Sequence, residues 1–234
     1  LGGLLHYAQH TQGQTLRHVH SLNVVRGEQY LTLDAATRRN LEITENLRGQ
    51  SDSSNTTLFG LLDHCASSMG ARLLKRWLHH PLRDAATVMA RQSAVRVLLD
   101  SRNFSATRPY LSTLSDIERI GARIALSTVR PKELAALRDS LAQLPAIAQI
   151  LTPMDNSLLH ILTQALSVPE ALNELLNRAL CEEPATFVRE GGVFATGFDA
   201  ELDDLRAIQT NSGEFLLVLE SRERERTGVA GLKV

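Results

Sequence analysis

The chain has 234 residues, 43% hydrophobic but only 4% aromatic, with 25 basic and 26 acidic side chains and a formal net charge of -1. That length can bury a sizeable aliphatic core, while the charge balance excludes a strongly basic, free-standing nucleic-acid binder. Cys65 and Cys181 form neither a CxxC pair nor a disulfide framework, which fits a reducing compartment, and no apolar run is long enough to span a bilayer.

In chain order, "GGLLHYAQHTQ" reads as the end of a helix, with Leu4, Leu5 and Ala8 on one side. Val19, Leu22, Val24 and Val25, then Tyr30, Leu31 and Leu33, flank Gly27 and predict short strands over about 19–33. "AATRRNLEI" is ambiguous between strand and helix, and residues 48–57 form a polar loop of Gly, Ser, Asp and Asn. From Leu58 the signal is helical for more than a hundred residues. Asp84 is placed to cap a helix presenting Val88, Val95 and Leu99, and Ile117, Ile120 and Ile124 recur at helical spacing. Pro131 suits the first position of the next helix, which Pro145 should kink or end. Two shorter helices are predicted near 156–166 and 169–181. Gly191-Gly192, between Phe187-Val188 and Val193-Phe194, predicts a β-hairpin near 186–196. Asp199 should then cap one long helix over 200–227, about 40 Å in length. The predicted fold class is therefore mainly α: a multi-helix domain with a few short strands and a long C-terminal helix.

The most unusual run is "MGARLLKRWLHHPL", Met69 to Leu82. On a helix Met69, Leu73 and Trp77 align at i, i+4 and i+8, with Leu74 and Leu78 beside them. Arg72, Lys75, Arg76 and His79 take the other faces, and Pro81 stops the helix. This predicts a buried amphipathic helix with Trp77 in the core. A DNA-recognition helix would need a preceding short helix and turn, which are not evident.

The histidines raise a metal hypothesis. His6 and His10 stand four apart, His18 and His20 alternate, and His79 and His80 are adjacent. An HExxH motif would need Glu at position 7, which is Tyr7, and no Cys or carboxylate set with ligand spacing joins any of these pairs. Neither a GxSxG elbow nor a GxxxxGK[ST] phosphate loop occurs, and "RERER", Arg222 to Arg226, reads as a solvated, internally paired face. No catalytic, cofactor-binding or metal-binding residue is assigned.

Six segments, in order, resemble the MutS family of bacterial DNA mismatch-repair proteins. They are "LDAATRRNLEI" (Leu33 to Ile43), "MGARLLKRWLHHPL", "DIERIGARIAL" (Asp116 to Leu126), "RPKELAALR" (Arg130 to Arg138), "VREGGVFATGFDAELDDLR" (Val188 to Arg206) and "RERERTGVAGLKV" (Arg222 to Val234). The resemblance implies that residues 1–12 end a connector domain and 13–234 are the first part of the helical core, or lever, domain. It also implies that the chain stops where a DNA-gripping clamp domain would be inserted, an expectation matched by its start at Leu1 and its apolar end. The mismatch-reading, clamp and ATPase domains would lie elsewhere, so this chain would be no enzyme. ATP and Mg would belong to the full-length protein, as would mismatched duplex DNA, MutL and a homodimeric state. The implied role is mechanical linkage of the ATPase to the DNA-binding domains, in the cytoplasm and without membrane contact. Two competing readings are a free-standing helical protein-protein interaction scaffold and a histidine-based metalloenzyme.

Overall fold

A computed structural model describes residues 2–12, 27–47, 56–229 and 231. The predicted strand residues 19–25, together with His18 and most of the 48–57 loop, lie outside them. The chain divides into two units: residues 1–129 with 136–173, and residues 130–135 with 174–234.

The first unit begins with α1 (Gly2–Gln12). Gly27–Gln29 then form a 3-10 turn, and Tyr30 pairs with Leu82 in an isolated antiparallel bridge. Leu31 N–H donates to the Pro81 carbonyl at 2.8 Å and Arg83 N–H to the Gln29 carbonyl at 3.0 Å. The expected strand does not extend beyond this bridge, because a helix starts almost at once on each side of it. The Asp34 carboxylate accepts from Thr37 N–H to start α2 (Ala35–Asn40), and Asp84 accepts from Ala86 and Thr87 N–H to start α5 (Ala85–Asp100). Capping thus leaves no room for a ladder, and it resolves the first six residues of the ambiguous "AATRRNLEI" in favour of helix, with Leu41 to Ile43 turning away. Between them lie α3 (Leu58–Leu62), capped by Thr57, and α4 (Ser68–His79), capped by Ser67.

After α5 come α6 (Asn103–Thr113), α7 (Ile117–Ala125), α8 (Pro131–Leu151), α9 (Ser157–Ala165) and α10 (Glu170–Ala179). Pro131 opens α8 as predicted, but the helix continues through Pro145 rather than ending there. Pro145 removes the N–H that would bond the Leu141 carbonyl and its ring crowds that carbonyl, a local cost that the rest of this 21-residue helix tolerates. The first unit's best-defined core joins α5 and α9: Ala94, Leu159 and Met154 are buried, with Val97, Leu98, Ile150, Leu151 and Leu158 packed around them. Ser140, the most enclosed side chain, accepts from Ser115 N–H at 2.9 Å and donates to the Ala136 carbonyl at 2.6 Å.

In the second unit the expected hairpin is replaced by a different pairing. Gly191 and Gly192 do adopt positive φ, 72° and 64°, as the turn signal requires. Val188–Glu190, however, coil into a 3-10 turn. The following residues pair instead with the end of α10: Cys181 N–H donates to the Val193 carbonyl at 3.1 Å and Ala195 N–H to Ala179 at 2.9 Å. A helix end carries unsatisfied carbonyls, so α10 offers this segment a partner that Phe187 and Val188, curled on themselves, do not. Val193, Leu176, Ala179 and Leu180 are buried there.

The expected single helix over 200–227 is also corrected. It is two helices, α11 (Ala200–Thr210), capped by Asp199 as predicted, and α12 (Ser212–Thr227). The break falls at Asn211, whose φ of -112° and ψ of 39° leave the helical region. Thr210-Asn211-Ser212-Gly213 puts four poor helix formers in a row, and the summed propensity deficit yields there.

Candidate functional site

The signature helix α4 is where the sequence reading and the structure differ most. It contains no buried residue; Trp77 is 40% exposed and Leu73 47% exposed, so the expected burial of Trp77 does not occur. Its indole instead carries the Arg91 guanidinium 4.0 Å from the ring centroid. This pairing lets a cation from α5 cover apolar ring surface while its charge stays in water. Trp77, Pro81, Leu82, Val88 and Val95 line an open groove of about 510 Å³ beside that pair. Tyr30 reaches the same neighbourhood and meets His80 edge to face at 5.6 Å.

The polar face of α4 carries the tightest electrostatic cluster. Arg72 grips Asp116 with both guanidinium nitrogens, at 2.5 and 2.7 Å, and reaches Glu118 at 2.6 Å. Ser68 Oγ donates to Asp116 at 3.1 Å, and Arg119 closes on the same carboxylate at 3.4 Å. Asp116 is simultaneously the N-cap of α7, accepting from Arg119 N–H. One carboxylate therefore starts α7 and ties it to α4. The Arg72 hydrogen bonds hold the Asp116 carboxyl well below the usual carboxylate range, and the two carboxylates hold the Arg72 guanidinium above its ordinary value. "MGARLLKR" and "DIERIGAR" each contribute to this cluster, yet 44 residues separate Arg72 from Asp116.

A second polar cleft, of about 450 Å³, lies between α2 and the end of α4. Arg38, Arg39, Thr44, Glu45 and His79 line it. Thr44 Oγ1 stands 3.2 Å from His79 Nε2. Burial, then the nearby Arg38 and Lys75 charges, push the His79 imidazole below its usual pKa.

Among the described residues the other histidines do not converge. His6 and His10 are exposed on α1, His80 meets Tyr30, and His160 pairs with Gln164. Among the described residues no group of three or more His, Cys, Asp or Glu side chains is placed to hold a metal ion, and Cys65 and Cys181 are not joined in a disulfide. The sequence contains no GxxxxGK[ST] phosphate loop.

In the second unit Phe187 is flanked by two guanidiniums, Arg130 and Arg189, each 5.1 Å from its centroid. The "RERER" run is internally paired, as its spacing predicts: Arg224 bonds Glu220 and Arg226 bonds Glu223 along α12. Leu216, Leu217 and Val218 on the same helix are exposed, at 44, 68 and 63%.

No helix among the described residues is long and apolar enough to cross a membrane. The family model for MutS domain III matches residues 36–228, a span that takes in the Arg72–Asp116 cluster, the α4 groove and both helices of the C-terminal pair. With most of its length covered by that single domain, the chain belongs to the MutS family of DNA mismatch-repair proteins.

Proposed function

We propose that this chain acts as a lever within a longer mismatch-repair protein, linking an ATPase domain mechanically to the domains that grip and read DNA. In this reading ATP and Mg, mismatched duplex DNA, MutL and a homodimeric partner are engaged by the whole cytoplasmic protein, while this part transmits. Residues 1–12 would close a connector domain, with the core domain running from 13. The observation that carries the proposal is the bidentate Arg72–Asp116 pair at the start of α7. Coupling between distant sites requires elements that move as units between discrete arrangements. Joining the polar face of one helix to the first turn of another through a charge-assisted, two-point contact provides such a unit, because it resists rotation as well as separation.

The test places Asp116→Asn in a full-length mismatch-repair protein containing this chain. Asn still caps the helix but cannot bind Arg72 as an anion. Mismatch binding and basal ATP hydrolysis should each persist within about twofold, while the change in nucleotide turnover caused by mismatched DNA shrinks by about tenfold, a coupling loss of the usual allosteric size. Unchanged coupling in a folded variant would reject the lever reading. A second reading, a helical protein-protein interaction scaffold, draws on the open apolar groove beside Trp77. It is favoured if coupling is intact but loss of Trp77 abolishes binding of a protein partner.

A further inference from the structure

The cleft between α2 and the end of α4 has features that the lever role does not use. Arg38 and Arg39 occupy the last turn of α2. Cations there ordinarily offset a helix C-terminus, but α2 has only six residues and a correspondingly small dipole. Arg38 Nε, moreover, has been withdrawn from water without gaining an acceptor. A buried donor left in that state is costly unless something supplies an oxygen.

Arg72, Arg119, Arg206, Arg224 and Arg226 each face a carboxylate within 4 Å. Among the described residues Arg38, Arg39 and Lys75 form no such pair. Among the described residues Glu45 is the one carboxylate lining the cleft; it is exposed and forms no ion pair with either arginine. The Thr44 hydroxyl and the His79 imidazole, 3.2 Å apart, line the same cleft. The groups facing His79 are Arg38, Lys75 and His80, which disfavour its protonation, and Glu45, which favours it.

We propose that this cleft binds a phosphate group, held by Arg38, Arg39, Thr44 and His79. Donors drawn from α2, the segment after it and the end of α4 suit a tetrahedral oxyanion, whose oxygens point in several directions, better than a planar carboxylate, which one guanidinium fork can satisfy. The 450 Å³ volume leaves room for an ester substituent to leave through the open side. The phosphoryl group comes either from a nucleic-acid backbone or from free phosphate and small phosphate esters. The inference stands whether or not the lever reading holds.

The experiment follows the His79 ring resonances of the 234-residue chain by NMR while inorganic phosphate is added, against chloride at equal ionic strength. Saturable shifts specific to phosphate are expected, with the His79 pKa rising as the dianion offsets the Arg38 and Lys75 charges. Arg38→Gln should weaken phosphate binding by about tenfold or more, as loss of a charge-assisted contact does. Arg39→Gln provides the same readout on an exposed side chain should Arg38→Gln fail to fold. A short DNA duplex separates the sources. If the backbone is the ligand, Arg38→Gln also weakens duplex binding and reduces its salt slope by about one. If free phosphate is the ligand, duplex binding is unchanged while phosphate binding is lost. The proposal is overturned if His79 responds to phosphate no differently than to chloride, or if both variants bind phosphate like the wild type.

Discussion

Replacing Asp116 with alanine removes two functions of one carboxylate. The first is the N-cap of α7, where Arg119 N–H donates to Asp116 at 3.1 Å. An N-cap of this type contributes about 1 kcal/mol. The second is the bidentate contact with Arg72, made by a carboxylate whose side chain is 18% exposed. A partly exposed pair with good geometry adds about 1 kcal/mol for Asp116, well short of its gas-phase strength because solvent and salt still screen it. Asp116→Ala should therefore destabilise the chain by about 2 kcal/mol. For a chain of this size that lowers the melting temperature by roughly 4–8 °C. Asp116→Asn retains the cap and should show about half the effect. Arg72→Gln should lower the midpoint in the wild type and have a smaller further effect in Asp116→Asn, where only the contact with the exposed Glu118 remains to be lost. The pH dependence has a definite sign. The Asp116 carboxyl titrates lower in the folded chain than in the unfolded one, so between about pH 5 and its folded value the unfolded state binds more protons. Its contribution is complete above about pH 5, is lost as pH falls, and should be missing from Asp116→Asn. Asp34, Asp84 and Glu223, held low by Thr37, Thr87 and Arg226, act in the same direction. The assay is thermal melting followed by circular dichroism from pH 3 to 7. An Asp116→Ala protein melting within about 1 °C of wild type at pH 7 would refute the reasoning, since that shift corresponds to less than about 0.5 kcal/mol.

Trp77→Ala should cost about 1–2 kcal/mol rather than the roughly 3–5 of an emptied aromatic core site, because the ring is already 40% exposed. The wild-type tryptophan should emit to the red and be readily quenched by iodide; blue, protected emission would contradict this placement. The chain alone should show no ATP turnover above a buffer control and no nucleotide-dependent rise in melting temperature, since it carries no phosphate loop. Its binding to duplex DNA should be weak, indifferent to a mismatch and abolished between low and physiological salt, with a salt-resistant mismatch preference as the opposing result. Amides of 216–226, on a helix that leaves Leu217 68% exposed, should exchange faster than those of α5 and α9 around Ala94 and Leu159. Equal protection in the two regions would show that α12 is covered.

What the sequence determined by itself was mostly local. The starts of α5, α8 and α11 are legible in Asp84, Pro131 and Asp199, because a cap or a first-turn proline acts on N–H groups two or three residues away and needs no distant partner. The left-handed turn at Gly191-Gly192 and the paired "RERER" face are legible for the same reason. The family was readable from six ordered segments, and the match over residues 36–228 agrees with it. Other features depended on the tertiary structure. The apolar stripe on α4 predicts an inward face, but periodicity records only which residues share a side; here Arg91, from another helix, lies over Trp77 and the groove stays open. Val193 was expected to pair with its near neighbours and found instead the end of α10, whose free backbone groups come into reach only once that helix has formed. The break at Asn211 was foreshadowed by Asn-Ser-Gly, yet a leucine stripe runs across it, and propensity prevailed where Leu205 and Leu216 remain exposed and burial offers little to hold the helix straight. Arg72 with Asp116, and Arg38 with His79, are separated by forty-odd residues along the chain. Charge attraction at that separation has no local signature, so which cation found a carboxylate and which was left without one was decided by how the helices packed.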